Sequence, residues 1–149
     1  MEQILEIVAI LCIGLMIGTE FAVSAFINPI LEKLGDRAQA EATRLFARKL
    51  GTVMPFWYSV SFLLLIAETI TMHRRPAVVF LATASMIWVA VIIFTLMVLV
   101  PVNNRIARMD PSSFSQPLRQ KHKKWDALHR LRVLALCVSM TLMLVGIRL

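Results

Sequence analysis

A carboxylate, a hydroxyl and a carboxamide recur at intervals of four residues in the first apolar segment of the chain: Glu20, Ser24 and Asn28. On a helix of 3.6 residues per turn this spacing stacks all three on one face. Near the other end, Trp125, His129 and Arg132 stand at i, i+4 and i+7, again on one face. A carboxylate facing a guanidinium can form a buried ion pair, move a proton beside it, or serve only to hold two helices together. An imidazole next to them adds proton transfer or metal ligation. Which chemistry is open to these residues depends on where their elements place them.

Those elements lie in a bilayer. Of the 149 residues, 58% are hydrophobic and only 17% charged, against about 45–50% and about 25% in ordinary soluble domains. Mean hydropathy is +0.74. Four spans of about 20 residues consume nearly the whole length and leave no room for a soluble catalytic domain. The net charge of +7 belongs to basic residues at the ends of apolar runs, which argues against a nucleic-acid surface and for topology signals. Cys12 and Cys137 each sit alone in an apolar run, so no disulfide framework is expected. Glu2 and Glu6 stand where a signal peptide needs positive charge, which predicts a retained first helix.

The expected fold is all-α, a single-domain integral membrane four-helix bundle. Its spans run at about 7–30, 51–72, 77–102 and 128–147. An amphipathic segment at 37–49 is either an interfacial helix or an extension of the second span. Pro101-Val102-Asn103-Asn104 closes the third span, a loop occupies 105–124, and Pro117 suits the first turn of the fourth helix. Of the 16 Lys and Arg residues, only Arg74, Arg75 and Arg148 fall on the side of the termini, leaving 13 on the other. The positive-inside rule makes that basic side cytoplasmic and puts both termini outside, as expected for a bacterial inner membrane.

Ionisable residues at depth cost about 2.5–3.5 kcal/mol each unless they face a partner or a cavity. Glu20 lies 13 residues beyond Ile7, about 20 Å into the span at 1.5 Å per residue. Arg132 enters from the same side to a similar depth and is its expected partner. Trp57 and Tyr58 open the second span at that boundary, Asn103 and Asn104 close the third, and Trp125 opens the fourth. With Asn28 they define a candidate pocket between helix ends on the basic side. The plainer alternatives are a structural ion pair, aromatic-belt residues and helix caps. Glu68, near the outer end of its span, is expected to snorkel to water and is given no role. A metal site at Glu20, His129 and His122 lacks a recognisable ligand spacing.

Together, Glu20…Asn28-Pro29, Pro55-Phe56-Trp57-Tyr58, Pro101-Val102-Asn103-Asn104-Arg105-Ile106 and Trp125-x-x-x-His129-x-x-Arg132 resemble the DUF1772, or anthrone oxygenase-like, family of small four-helix membrane proteins. The resemblance implies oxidation of a flat aromatic ketone by O2 as co-substrate, with no flavin, haem or nicotinamide cofactor and no metal. It further implies catalytic roles for Glu20 or His129 as base and for Arg132, with Asn103, at the oxyanion. Trp57, Tyr58 and Trp125 would stack on the rings.

Three function classes follow. The first is a cofactor-independent membrane oxygenase acting on an anthrone-like ketone, its partners a hydrophobic small molecule and the bilayer. The second is a non-enzymatic membrane subunit or carrier, with Gly14 and Gly18 as a homo-oligomer face. The third is a metal- or quinone-dependent redox protein. An enclosed flat cavity walled by Trp125 and Tyr58 favours the first, a sealed Glu20–Arg132 pair the second, and a metal or cofactor at Glu20 and His129 the third.

Overall fold

In the computed structural model, the backbone is described for residues 2–73, 75–108 and 116–149, with side chains from 125 onward in the last segment. Every regular element among the described residues is helical. In chain order these are α1 (Glu2–Ala22), a π-turn (Val23–Ile27), α2 (Asn28–Leu31), α3 (Asp36–Thr71), α4 (Val78–Phe94), a second π-turn (Thr95–Leu99), α5 (Val100–Ala107) and α6 (Gln116–Arg148). They build four helices long and apolar enough to cross a membrane, within Glu2–Leu31, Asp36–Thr71, Val78–Ala107 and Trp125–Arg148.

Leucine, isoleucine and valine cover the outside of the bundle, Leu11, Leu63, Ile93 and Leu134 among them. Lipid is as apolar as these side chains, so close packing and hydrogen bonds must hold the helices together. Ala9, Ile13 and Met16 of α1 meet Leu65 of α3, Leu81, Ala84 and Trp88 of α4, and Leu136 and Met143 of α6. Small residues permit the closest approach: a Cβ at Gly146 would stand 3.4 Å from the Ala77 carbonyl. Ser139 donates to the Ala84 carbonyl at 3.0 Å, tying α6 to α4.

Helix α3 begins after Gly35, whose extended backbone stops the preceding turn, and Asp36 lies in its first turn, where the helix dipole favours an anion. It then runs 36 residues without a break. The amphipathic segment 37–49 is therefore the continuation of the second span and forms no separate interfacial helix.

The third span differs from expectation at its end. Pro101 does not close it; the helix continues through α5 to Ala107. A proline lacks an N–H, and its ring strikes the carbonyl four residues back. The turn before it widens to five residues instead, with the Val100 N–H bonded to the Thr95 carbonyl. The first span repeats the device: the Asn28 N–H reaches the Val23 carbonyl, and Pro29 follows. Each proline stands two residues beyond the end of its π-turn.

Glu68 also departs from expectation. It follows Met54, Tyr58, Ser61 and Leu65 along the inward face of α3 and is 1% exposed, so its carboxylate does not reach the surface. The loop residues 109–115 lie outside the described residues, as does the side chain of His122.

Candidate functional site

The two π-turns face α6 near the basic end of the bundle, and each presents a carbonyl beside it to that helix. His129 donates through Nε2 to the Glu20 carbonyl at 3.3 Å, and Trp125 donates through Nε1 to the Leu99 carbonyl at 3.3 Å. The two rings stack, centroids 4.9 Å apart and 7° from parallel. Residues i and i+4 of α6 thus bridge two helices close to their π-turns.

Within this frame lies a buried ion pair. Arg132 Nη2 stands 2.5 Å from Glu20 Oε2, with the two side chains only 8% and 5% exposed. The same Nη2 reaches His129 Nδ1 at 2.8 Å, and Nη1 reaches Thr95 Oγ1 at 3.4 Å. A guanidinium has no acceptor and a carbonyl no donor. His129 is therefore the neutral tautomer with its proton on Nε2, although Nδ1 also lies 3.3 Å from Glu20 Oε2. The guanidinium lies over the Tyr58 ring, 5.5 Å from its centroid, a cation–π distance.

Two donors in this cluster are poorly satisfied: Arg132 Nε has no hydrogen-bond partner among the described residues, and the Tyr58 hydroxyl faces Glu20 without a well-formed hydrogen bond, both atoms being buried. Buried polar atoms are normally paired, since leaving one unpaired costs about 1–3 kcal/mol.

A cavity adjoins the cluster. It has a volume of about 370 Å³ and is lined by Glu20, Asn28, Tyr58, Thr95, Asn103, Asn104, Trp125, His129 and Arg132, with Met54, Leu50, Ile92 and Leu99 among its apolar walls. The size falls in the range of about 300–1,000 Å³ usual for small-molecule sites. Eight of the nine sequence-predicted site residues converge here. Trp57 does not: its indole donates to the Cys12 carbonyl at 3.1 Å and packs against the core between α3 and α1.

Several contacts carry no signal in the sequence. Asn28 spends its amide on Asp126 Oδ1, 2.5 Å away, and Asp126 also pairs with Arg130 at 2.8 Å. Asn103 donates to the Ala47 carbonyl at 3.1 Å, an approach that Gly51 permits, since a Cβ there would meet Asn103 Nδ2 at 2.9 Å. Thr95 joins the site because the second π-turn points it at α6. A metal ion bound between Glu20 and His129 would have to displace the guanidinium that lies against both.

Neither a curated protein nor a solved structure gives a significant match to the chain. A family model does: residues 42–142 match that of anthrone oxygenase. The matched stretch carries Tyr58, Thr95, Asn103, Trp125, His129 and Arg132, while Glu20 and Asn28 precede it. With four apolar helices in place and more than half its length matched, the chain belongs to the anthrone oxygenase family.

Proposed function

We propose that this protein is a membrane-embedded oxygenase that oxidises a flat, hydrophobic aromatic ketone of the anthrone type with O2, using no prosthetic group. The observation that carries the reading is the buried Glu20–Arg132 ion pair, with Tyr58 and His129 around it, in the wall of a largely apolar cavity of ligand size. A ketone oxygen would lie toward the Arg132 guanidinium, and Trp125 offers the ring system a flat wall.

In this reading Glu20 takes a proton from the CH2 group conjugated to the ketone. Proton transfer neutralises the carboxylate, so the charge of Arg132 passes from Glu20 to the new oxyanion. The cavity carries the same net charge before and after, and the stabilising cation is already in place. The electron-rich anion gives one electron to O2. The two radicals combine as a peroxide, and loss of water leaves the second carbonyl, so that one CH2 and one O2 become one C=O and one H2O. Apolar walls beside the anion limit the access of water to it. We further propose that the basic end faces the cytoplasm, in line with the positive-inside rule.

The test is oxygen consumption by metal-stripped protein in detergent, supplied with a panel of anthrones, beside Glu20→Gln and Arg132→Ala. Turnover that survives chelation and fails in both variants supports the reaction and the site together. A preparation silent across the panel, yet binding membrane quinones, moves the assignment to a quinone-binding protein.

A further inference from the structure

We propose that the cavity receives its ligand sideways, from the hydrocarbon layer of the membrane, through a gap between α3 and the second π-turn. The proposal rests on the reading of the Glu20–Arg132 cavity as a ligand site and adds the route and physical state of the substrate: a bilayer-dissolved molecule whose oxygen-bearing end goes in first.

The gap is visible in the packing. Helix α3 packs closely on α4 toward the terminal end and on α5 toward the basic end, but scarcely touches the π-turn that joins them. Of the exposed residues that line the cavity, Phe46 and Asn104 lie nearer the basic end, and the other four lie along this seam. Gly51, Pro55 and Ser59 come from α3, and Leu96, 60% exposed, comes from the π-turn. A side chain with one flank on a cavity and the other on the outside forms the rim of an opening. Across the bundle, Val23 and Leu31 close the α1–α2 wall with buried side chains.

What stands outside the rim is lipid. Phe56, Ile93 and Met97 flank it, all exposed and all apolar, within helices of membrane-spanning length. The rim also asks nothing of water: Ser59 returns its hydroxyl to the Pro55 carbonyl at 2.9 Å, within its own helix. A flat apolar ketone partitions into the hydrocarbon layer, so its local concentration is highest where this seam opens.

The test uses Ser59→Cys in a Cys12→Ala, Cys137→Ala background, reconstituted in lipid nanodiscs. A spin label on the introduced thiol is expected to collide several-fold more often with dissolved oxygen, which concentrates in lipid, than with a water-soluble nickel chelate. A bulky maleimide at the same thiol is expected to slow both uptake and release of lipid-dissolved anthrone several-fold, as obstruction of a passage requires. A label that meets nickel more readily than oxygen, or an adduct that leaves both rates unchanged, overturns the lateral route. Unmodified protein that takes up no anthrone counts instead against the ligand reading, so the two failures are distinct.

Discussion

His129 donates its Nε2 proton to the backbone carbonyl of Glu20, 3.3 Å away on another helix, while its Nδ1 receives Arg132 Nη2 at 2.8 Å. Both ring nitrogens are thereby committed, and the imidazole acts as a strut between α1 and α6. Proton abstraction in the proposed reaction then belongs to Glu20. Nitrogen-15 NMR should show His129 neutral with the proton on Nε2. A carboxamide can donate to one partner and accept from the other, so His129→Asn should retain part of the turnover. His129→Ala should lose turnover and about 1–3 kcal/mol of stability, leaving polar partners unpaired.

Glu20→Gln should abolish oxygen consumption while the protein remains folded in membranes, because the amide still accepts a hydrogen bond from Arg132. Glu20→Leu should also lower the unfolding free energy by about 3–5 kcal/mol, since it leaves the buried guanidinium with neither a counter-charge nor the acceptor oxygen that Gln retains. Thermal unfolding in detergent separates the two variants. Undiminished turnover in Glu20→Gln would remove Glu20 as the base.

Tyr58→Phe removes a buried hydroxyl that faces Glu20 without a well-formed hydrogen bond. Its thermal stability should stay level or rise, whereas ligand affinity should fall about tenfold, one hydrogen bond being worth about 1.4 kcal/mol here. Stability and affinity moving in opposite directions is the signature of a group kept for a ligand. A parallel loss of both would make the hydroxyl structural.

Gly51→Ala sets two effects against each other. Alanine gains up to about 1 kcal/mol of helix propensity, but its Cβ would stand 2.9 Å from Asn103 Nδ2 and displace that amide from the Ala47 carbonyl. The lost hydrogen bond costs about 0.5–1.5 kcal/mol. The melting temperature should therefore change little, while Asn103 shifts in the cavity wall and substrate KM rises.

Asn28→Leu should cost about 1–3 kcal/mol by taking from Asp126 the partner that ties the first span to the fourth. Asp126 retains Arg130 as a counter-charge, so the bundle should still assemble. Crosslinking between the two spans, with unfolding temperature, checks this.

Much of the molecule is legible in its sequence because a bilayer imposes a simple rule. Uninterrupted apolar runs must be helices long enough to satisfy their own backbone, so four such runs give four spans. The rare polar residues within them must face inward, which makes Glu20, Asn28, His129 and Arg132 conspicuous by type and position alone. Trp57 and Tyr58 show where this logic stops: adjacent aromatics at one boundary read alike, yet a rotation of about 100° along the helix sends Tyr58 to the cavity and Trp57 to the Cys12 carbonyl.

Composition, spacing and charge by themselves determined the class of solvent, the number of spans and which rare polar residues need a partner, because each follows from the energy of one segment in lipid. The tertiary structure alone decided that Pro29 and Pro101 are carried through helices by π-turns, that their neighbouring carbonyls receive His129 and Trp125, and that Glu68 is enclosed. These depend on which helix faces which, at what rotation and depth. A proline reads as a helix end when its segment is considered alone. Only the packing of a neighbouring helix beside the widened turn makes it part of a site.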